Sequence, residues 1–343
     1  MMQQACAPGK LILSGEHAVV YGHPALALAI NRYVTTTITP ELIPQILFDL
    51  TDVAHRGSVS MTTLKRLKER IKQHYQRFQQ GDFSIREVIQ QPFELTQFAF
   101  SLFLESLNKH IPHGMKIAVQ STIPVGCGMG SSAATILSVM VALSHYLDVS
   151  IADEKLFQLA LEAEKMQHGF TSGLDVRIAL NGGCLYMQGE KILSRALPPL
   201  PMYLVNTGMP QTTTGECVEK VAAHFKQTPQ LGAEFAAVTN ALDAAIKTQS
   251  SQQIQAAIRE NHRLLMQIGV VPEKIKQFIS EAETMGMAAK ICGAGAVAGE
   301  RAGVVWITTT NAMDEAQIAA LAARFHYSFF AIQGVARGVH VVI

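Results

Sequence analysis

Cysteine is scarce in this 343-residue chain and shows no order: five residues, at positions 6, 127, 184, 217 and 292, with no CxxC pair. An odd, scattered set argues against a disulfide framework and a structural zinc site, and favours a reduced, cytoplasmic protein. Net charge is nearly absent as well. The 28 basic and 27 acidic residues leave a formal charge of +1, so no global field exists to attract nucleic acid or an acidic membrane. Hydrophobic residues form 48% of the chain, yet no run of about 18 apolar residues passes without polar interruption, which argues against a membrane span. The opening MMQQACAPGK lacks the basic flank and apolar stretch of a secretory signal. There is no internal repeat and no low-complexity tail. The length suits one large domain or two ordinary ones.

Apolar residues 64, 67, 71, 75 and 78, spaced by three and four, predict an amphipathic helix over 62–79 with a basic outer face. Further helices are expected at 93–109, 131–147 and 153–167, with strands at 11–14, 33–39, 115–121 and 182–187. The LPPLP run at 197–201 opposes both helix and sheet pairing and marks a domain boundary. Two domains, 1–197 and 198–343, are expected on either side of it. After it come a strand at 202–206, helices at 216–226, 231–247, 252–267 and 273–285, and strands at 288–292 and 303–309. A helix at 313–325 and strands at 327–333 and 338–343 complete the chain. With the extra helices set aside, this is close to a β-α-β-β-α-β plan.

The segment IPVGCGMGSSAATILSVMVAL, 123–143, sets Gly126, Gly128 and Gly130 before Ser131, Ser132 and a helix apolar on most sides. Glycine lets backbone amides turn toward a ligand, and a helix N-terminus adds unsatisfied N–H groups with partial positive charge. Ser131 and Ser132 stand where an N-cap belongs, or where a hydroxyl could reach a metal or phosphate. A tight structural turn and a phosphate loop both remain open on this pattern. The P-loop pattern G-x-x-x-x-G-K-[ST] occurs nowhere. A second run, GAGAVA at 293–298, matches G-x-G-x-x-A, but a turn and strand follow where a dinucleotide fold needs a helix.

Three ordered stretches carry a family resemblance: APGKLILSGEHAVVYGHPALALAI at 7–30, PVGCGMGSSAA at 124–134 and KICGAGA at 290–296. They resemble the three motifs of the GHMP kinases. HGFTSGLD at 168–175 and NHRLLMQIGV at 261–270 are similar to stretches of the mevalonate kinases within that superfamily. The resemblance spans nearly the whole chain. It implies an α+β, two-domain GHMP kinase fold: a ribosomal protein S5-like α/β domain followed by a ferredoxin-like one, with ATP and substrate in the cleft between them. It implies transfer of the γ-phosphoryl group of ATP to mevalonate or a related small hydroxy acid.

Residue by residue, the resemblance assigns Gly126, Gly128, Met129, Gly130, Ser131, Ser132 and Ala133 to the nucleotide. Ser132 and Glu164 would hold Mg²⁺, which keeps several waters and needs few protein ligands. For Glu164 a plain surface charge is the alternative. Asp175 would face the substrate hydroxyl with Lys10 beside it, either removing the proton or orienting the ammonium; Asp175 could equally be an N-terminal helix charge. Glu16, His17 and Thr213 would lie against the substrate.

Two departures stand out. The third motif runs on as GAGAVAGERAG, with side chains where the family has bare backbone. Gln211 replaces a usual arginine, while Arg177 follows Asp175 by two and is expected near the substrate pocket, where it could meet an anionic group. Phosphomevalonate kinase is therefore the alternative, and a catalytically silent nucleotide-binding relative is the reading from a different class. Oligomeric state is left open, a homodimer included.

Overall fold

The computed structural model describes residues 2–109, 111, 113–124, 126–228, 230–310 and 314–342. Met313 and Ile343, the outer ends of an expected helix and an expected strand, lie outside the described residues.

The first half builds strands β1 (Gln3–Ser14), β2 (Ala25–Glu41), β3 (Ile46–Leu50), β4 (His55–Val59), β5 (Gly114–Ser121), β6 (Cys184–Gln188) and β7 (Lys191–Arg195). Their main path runs β1-β2-β5-β3-β4, and β6 and β7 branch from β2. β1 and β2 are far longer than the alternation of their side chains indicates. Pro8 and Gly9 read as strand breakers, but a register shift between them absorbs both. Residues 25–30 of β2 are all buried, so no period-two pattern is visible there.

Helices α1 (Met61–Gln79), α2 (Glu94–Ser106), α3 (Ser131–Tyr146) and α4 (Asp153–His168) share one core with the sheet. The basic outer face of α1 is that of an ordinary surface helix, burying Leu64 and Ile71 inward. α2 and α3 lie in the interior, with Phe98, Phe100 and Phe103 of α2 fully buried. The short α5 (Leu174–Asn181) sets Leu174 and Ile178 against Ile12, Ala25, Ala27 and Ala29. Asp175 is thereby held close to β1.

The second half begins with β8 (Met202–Gly208) and four helices: α6 (Thr214–Gln227), α7 (Gln230–Lys247), α8 (Ser251–Gln267) and α9 (Glu273–Thr284). It continues through β9 (Ala288–Ile291), β10 (Gly303–Thr308), α10 (Glu315–Arg324) and β11 (Ser328–Ile332). These strands form an antiparallel sheet in the order β11-β8-β10-β9. That is the expected β-α-β-β-α-β plan, with α6 to α9 filling its first crossover. The strand expected at 338–343 does not join it. β12 (His340–Val342) pairs antiparallel with β1, so the chain returns to the first sheet. Cys6 and His340 face one another across that pairing, Sγ to Nε2 3.2 Å. No helix among the described residues is long and apolar enough to cross a membrane.

Candidate active site

A cavity of about 610 Å³ is lined by residues of both halves. Its floor is β1. Lys10 sits there with only 4% of its surface exposed, and its backbone N–H donates to the Met129 carbonyl, 2.9 Å. This bond ties β1 to the glycine loop. Gly130, at φ +70°, passes directly over the lysine: a Cβ there would come within 2.7 Å of Lys10 Cγ. The Lys10 ammonium meets Asp175 Oδ1 at 3.1 Å. Asp175 stands in the first turn of α5, and its side chain keeps 27% of its surface open. Two residues 165 positions apart, on a strand and a helix start, thus face the cavity as an ammonium–carboxylate pair.

Every residue from Gly126 to Ser132 lines the cavity. The expected serine N-cap is not formed. Gly130 caps α3 in the left-handed region, and no side chain accepts from the first turn. A serine cap would have occupied an N–H that an anion can otherwise use. Gly128 lies back to back with the third motif, where a Cβ would meet the Cys292 carbonyl at 3.1 Å. Ala133 does not contribute its side chain to the cavity. It points into the core with none of its surface exposed, because the helix turns Ser131, Ser132 and Thr135 outward and Ala133 inward.

Ser132 Oγ donates to Glu164 Oε1 at 2.9 Å and lies 3.3 Å from His168 Nε2. Glu164 is no surface charge: it is 1% exposed, and its Oε2 is buried without a hydrogen-bond partner. An orphaned carboxylate oxygen beside a hydroxyl is a hard-oxygen set suited to Mg²⁺. Burial alone would lower the pKa of His168, but the adjacent Glu164 carboxylate outweighs it and holds the imidazole above its ordinary value.

Glu16 and His17 follow β1 through a strained turn; His17 has φ +60° and ψ −49°. Both line the cavity and both keep a buried polar atom unpartnered, Glu16 Oε2 and His17 Nδ1. The other edge of each is committed. His17 Nε2 bonds the Ala294 carbonyl at 3.0 Å. Glu16 Oε1 is ion-paired with Lys290 of β9, which also donates to the Ile12 carbonyl at 3.1 Å. Burial lowers the pKa of His17 to about 4, so the ring is neutral. Thr213 lines the cavity as N-cap of α6, its hydroxyl accepting from the Glu216 N–H at 3.3 Å.

Arg177 is not near the substrate space. It bonds Glu154 at 3.0 Å, lies 3.3 Å over the Phe157 ring, and lines none of the cavity. One helical position after Val176, it points along α5 toward α4 and away from Asp175. Gln211 packs under Gly299 of the extended third-motif loop. Lys290, His168 and Arg86 also belong to this neighbourhood. The first two stand at the heads of the stretches KICGAGA and HGFTSGLD and were legible there; Arg86 carries no local signal.

Residues 94–183 match the family described as GHMP kinases, N terminal domain. Over 296 residues the chain is 33% identical to a mevalonate kinase of Archaeoglobus fulgidus, covering 85% of this chain and 88% of that one. To a mevalonate kinase of Pyrococcus furiosus it is 30% identical over 301 residues, covering 85% and 86%. The fold aligns with the crystal structure of Methanococcus jannaschii mevalonate kinase at a TM-score of 0.81 and 24% identity, over 98% of each chain. The chain belongs to the GHMP kinases, and it is a phosphotransferase that uses ATP. Within that family its resemblance runs to the mevalonate kinases.

Proposed function

We propose that this chain transfers the γ-phosphoryl group of ATP to the primary hydroxyl of mevalonate, giving 5-phosphomevalonate and ADP, as a cytoplasmic enzyme of isoprenoid synthesis. One observation supports this most: Lys10 and Asp175 meet at 3.1 Å in the wall of the cavity that the glycine loop also lines. Phosphoryl transfer needs positioning and charge stabilisation more than covalent chemistry. The amides of Gly126 to Ser132 cradle the phosphates. Asp175 accepts the proton of the incoming hydroxyl as its oxygen bonds to phosphorus and ADP leaves. Lys10 stabilises the negative charge that gathers on that oxygen. Ser132 and Glu164 are the residues that hold Mg²⁺, and the ion when bound neutralises phosphate charge. Glu16, His17 and Thr213 offer hydrogen bonds to the acceptor.

The residue that favoured an acceptor already phosphorylated, Arg177, is paired with Glu154 outside the cavity. Mevalonate is therefore the preferred acceptor. The test is ADP release with mevalonate and with phosphomevalonate side by side, each with and without Mg²⁺. Turnover on mevalonate that requires Mg²⁺ is expected. A preference for phosphomevalonate overturns the choice of acceptor, and tight ATP binding without turnover on any acid overturns the assignment as an active kinase.

A further inference from the structure

The acceptor proposed above is a carboxylate, and the cavity is poor in cations to receive it. Among the described residues its lining holds four acidic side chains, Glu16, Asp52, Glu164 and Asp175, against one lysine and one arginine. The lysine, Lys10, is committed to Asp175. The arginine is Arg86.

Arg86 stands on a single 3₁₀ turn, residues Ile85–Glu87. The turn is fixed from three sides. Ser84 donates its N–H and its hydroxyl to Glu87 Oε2, at 2.7 and 2.8 Å. His74 of α1 donates Nδ1–H to the Glu87 carbonyl at 2.8 Å. Ile85 packs between two other cavity segments: a Cβ on Gly169 would lie 3.5 Å from its Cδ1, and one on Gly215 3.7 Å from its Cγ2. Gly169 begins the turn that leads to Asp175, and Gly215 is in the first turn of α6, beside Thr213. Arg86 is therefore anchored at the end of the cavity where the acceptor is expected. Its Nη2 bonds Glu216 Oε2 at 2.8 Å across the cleft. Its remaining N–H groups have no partner among the described residues, so the guanidinium keeps a donor edge available.

We propose that Arg86 is a specificity-determining residue that binds the acceptor's carboxylate, oriented for this by Glu216 on the opposite side of the cleft. The inference rests on the mevalonate reading. With Gln211 at the start of α6, no lysine or arginine of the second half lines the cavity among the described residues, and Arg86 supplies a cation from the first half. A guanidinium suits the task because its planar fork matches a carboxylate.

The test is steady-state kinetics of Arg86→Ala and Arg86→Lys, varying mevalonate at saturating ATP and then the reverse. Arg86→Ala is expected to raise KM for mevalonate about 10- to 100-fold, the size of a charge-assisted hydrogen bond. KM for ATP should stay within about twofold. Arg86→Lys should recover part of the loss. Added salt should weaken mevalonate use by the wild type more than by Arg86→Ala, a response that a purely structural residue does not give. An active wild type whose KM for mevalonate is indifferent to Arg86→Ala overturns this inference alone. So does an equal rise in both KM values, which assigns Arg86 to the nucleotide or the scaffold. A wild type that releases no ADP on mevalonate overturns the acceptor reading and this inference with it.

Discussion

Two lysine–carboxylate pairs lie near one another, and they do different things. Lys10–Asp175 links a strand and a helix of the first half, and its carboxylate side chain is 27% exposed to the cavity. Lys290–Glu16 links β9 of the second half to the end of β1, with side chains 0% and 1% exposed. Burial pushes the pKa of Glu16 upward, against the pull of Lys290. The chemical groups are the same, but access decides their use. An open pair can exchange a proton with a substrate and stabilise charge as it develops. The closed pair leaves only Glu16 Oε2 uncommitted, and its desolvation is compensated mainly by mutual attraction and by the Ile12 carbonyl. What it gives in return is location: it ties β9, and the third-motif loop that follows, to the strand carrying Lys10.

That contrast is open to test. The largest effect is expected from Lys290→Met, which leaves Glu16 buried without its cation and should cost about 3–5 kcal/mol of stability. Denaturant unfolding measures this, and pairing the change with Glu16→Leu should restore a large part of it. If Lys290→Met leaves stability untouched, the closed pair is not the tie described. Asp175→Asn and Lys10→Met should each lower kcat by about 10²-fold or more, with far smaller loss of stability. Stopped assays and unfolding curves on the same preparations distinguish the two behaviours. A Lys10→Met enzyme that unfolds readily yet retains kcat would reverse the comparison.

The smallest effect concerns His262, buried on α8 with Nδ1 unpartnered. Burial, reinforced by the charge of Lys290, lowers its pKa from 6.5 to about 4. The unfolded chain takes up the proton more readily, so stability is full above pH about 6.5 and falls as pH drops toward 4. Between pH 7 and pH 5 the loss is about 2 kcal/mol from this residue. His262→Gln should flatten that part of the profile; an unchanged slope would place the pH response elsewhere.

Much of the site was legible in sequence because its parts are local. The glycine loop, GEH at 15–17 and HGFTSGLD each concentrate their chemistry in a few consecutive residues. The helices were legible through their apolar spacing, and the second sheet through its order of elements. What was hidden depends on distant packing. β3, β4 and β7 are five-residue strands whose pairing, not their composition, defines them. Ala133 and Arg177 sit at motif positions, yet the helix phase turns both from the cavity. Arg86 enters the site because Ile85 wedges between two glycine turns about 80 and 130 positions further along the chain, a relation no window of sequence displays.

The pairing of β12 with β1 sets an order of events during synthesis. Gln4, Ala5 and Cys6 are made more than 300 residues before their partners on one side, Val342, Val341 and His340. The sheet that carries Lys10 therefore keeps an unpaired edge while more than 300 residues are added. The nascent chain must keep that edge from foreign strands throughout elongation, and catalytic competence should arrive late and all at once rather than with the first half alone.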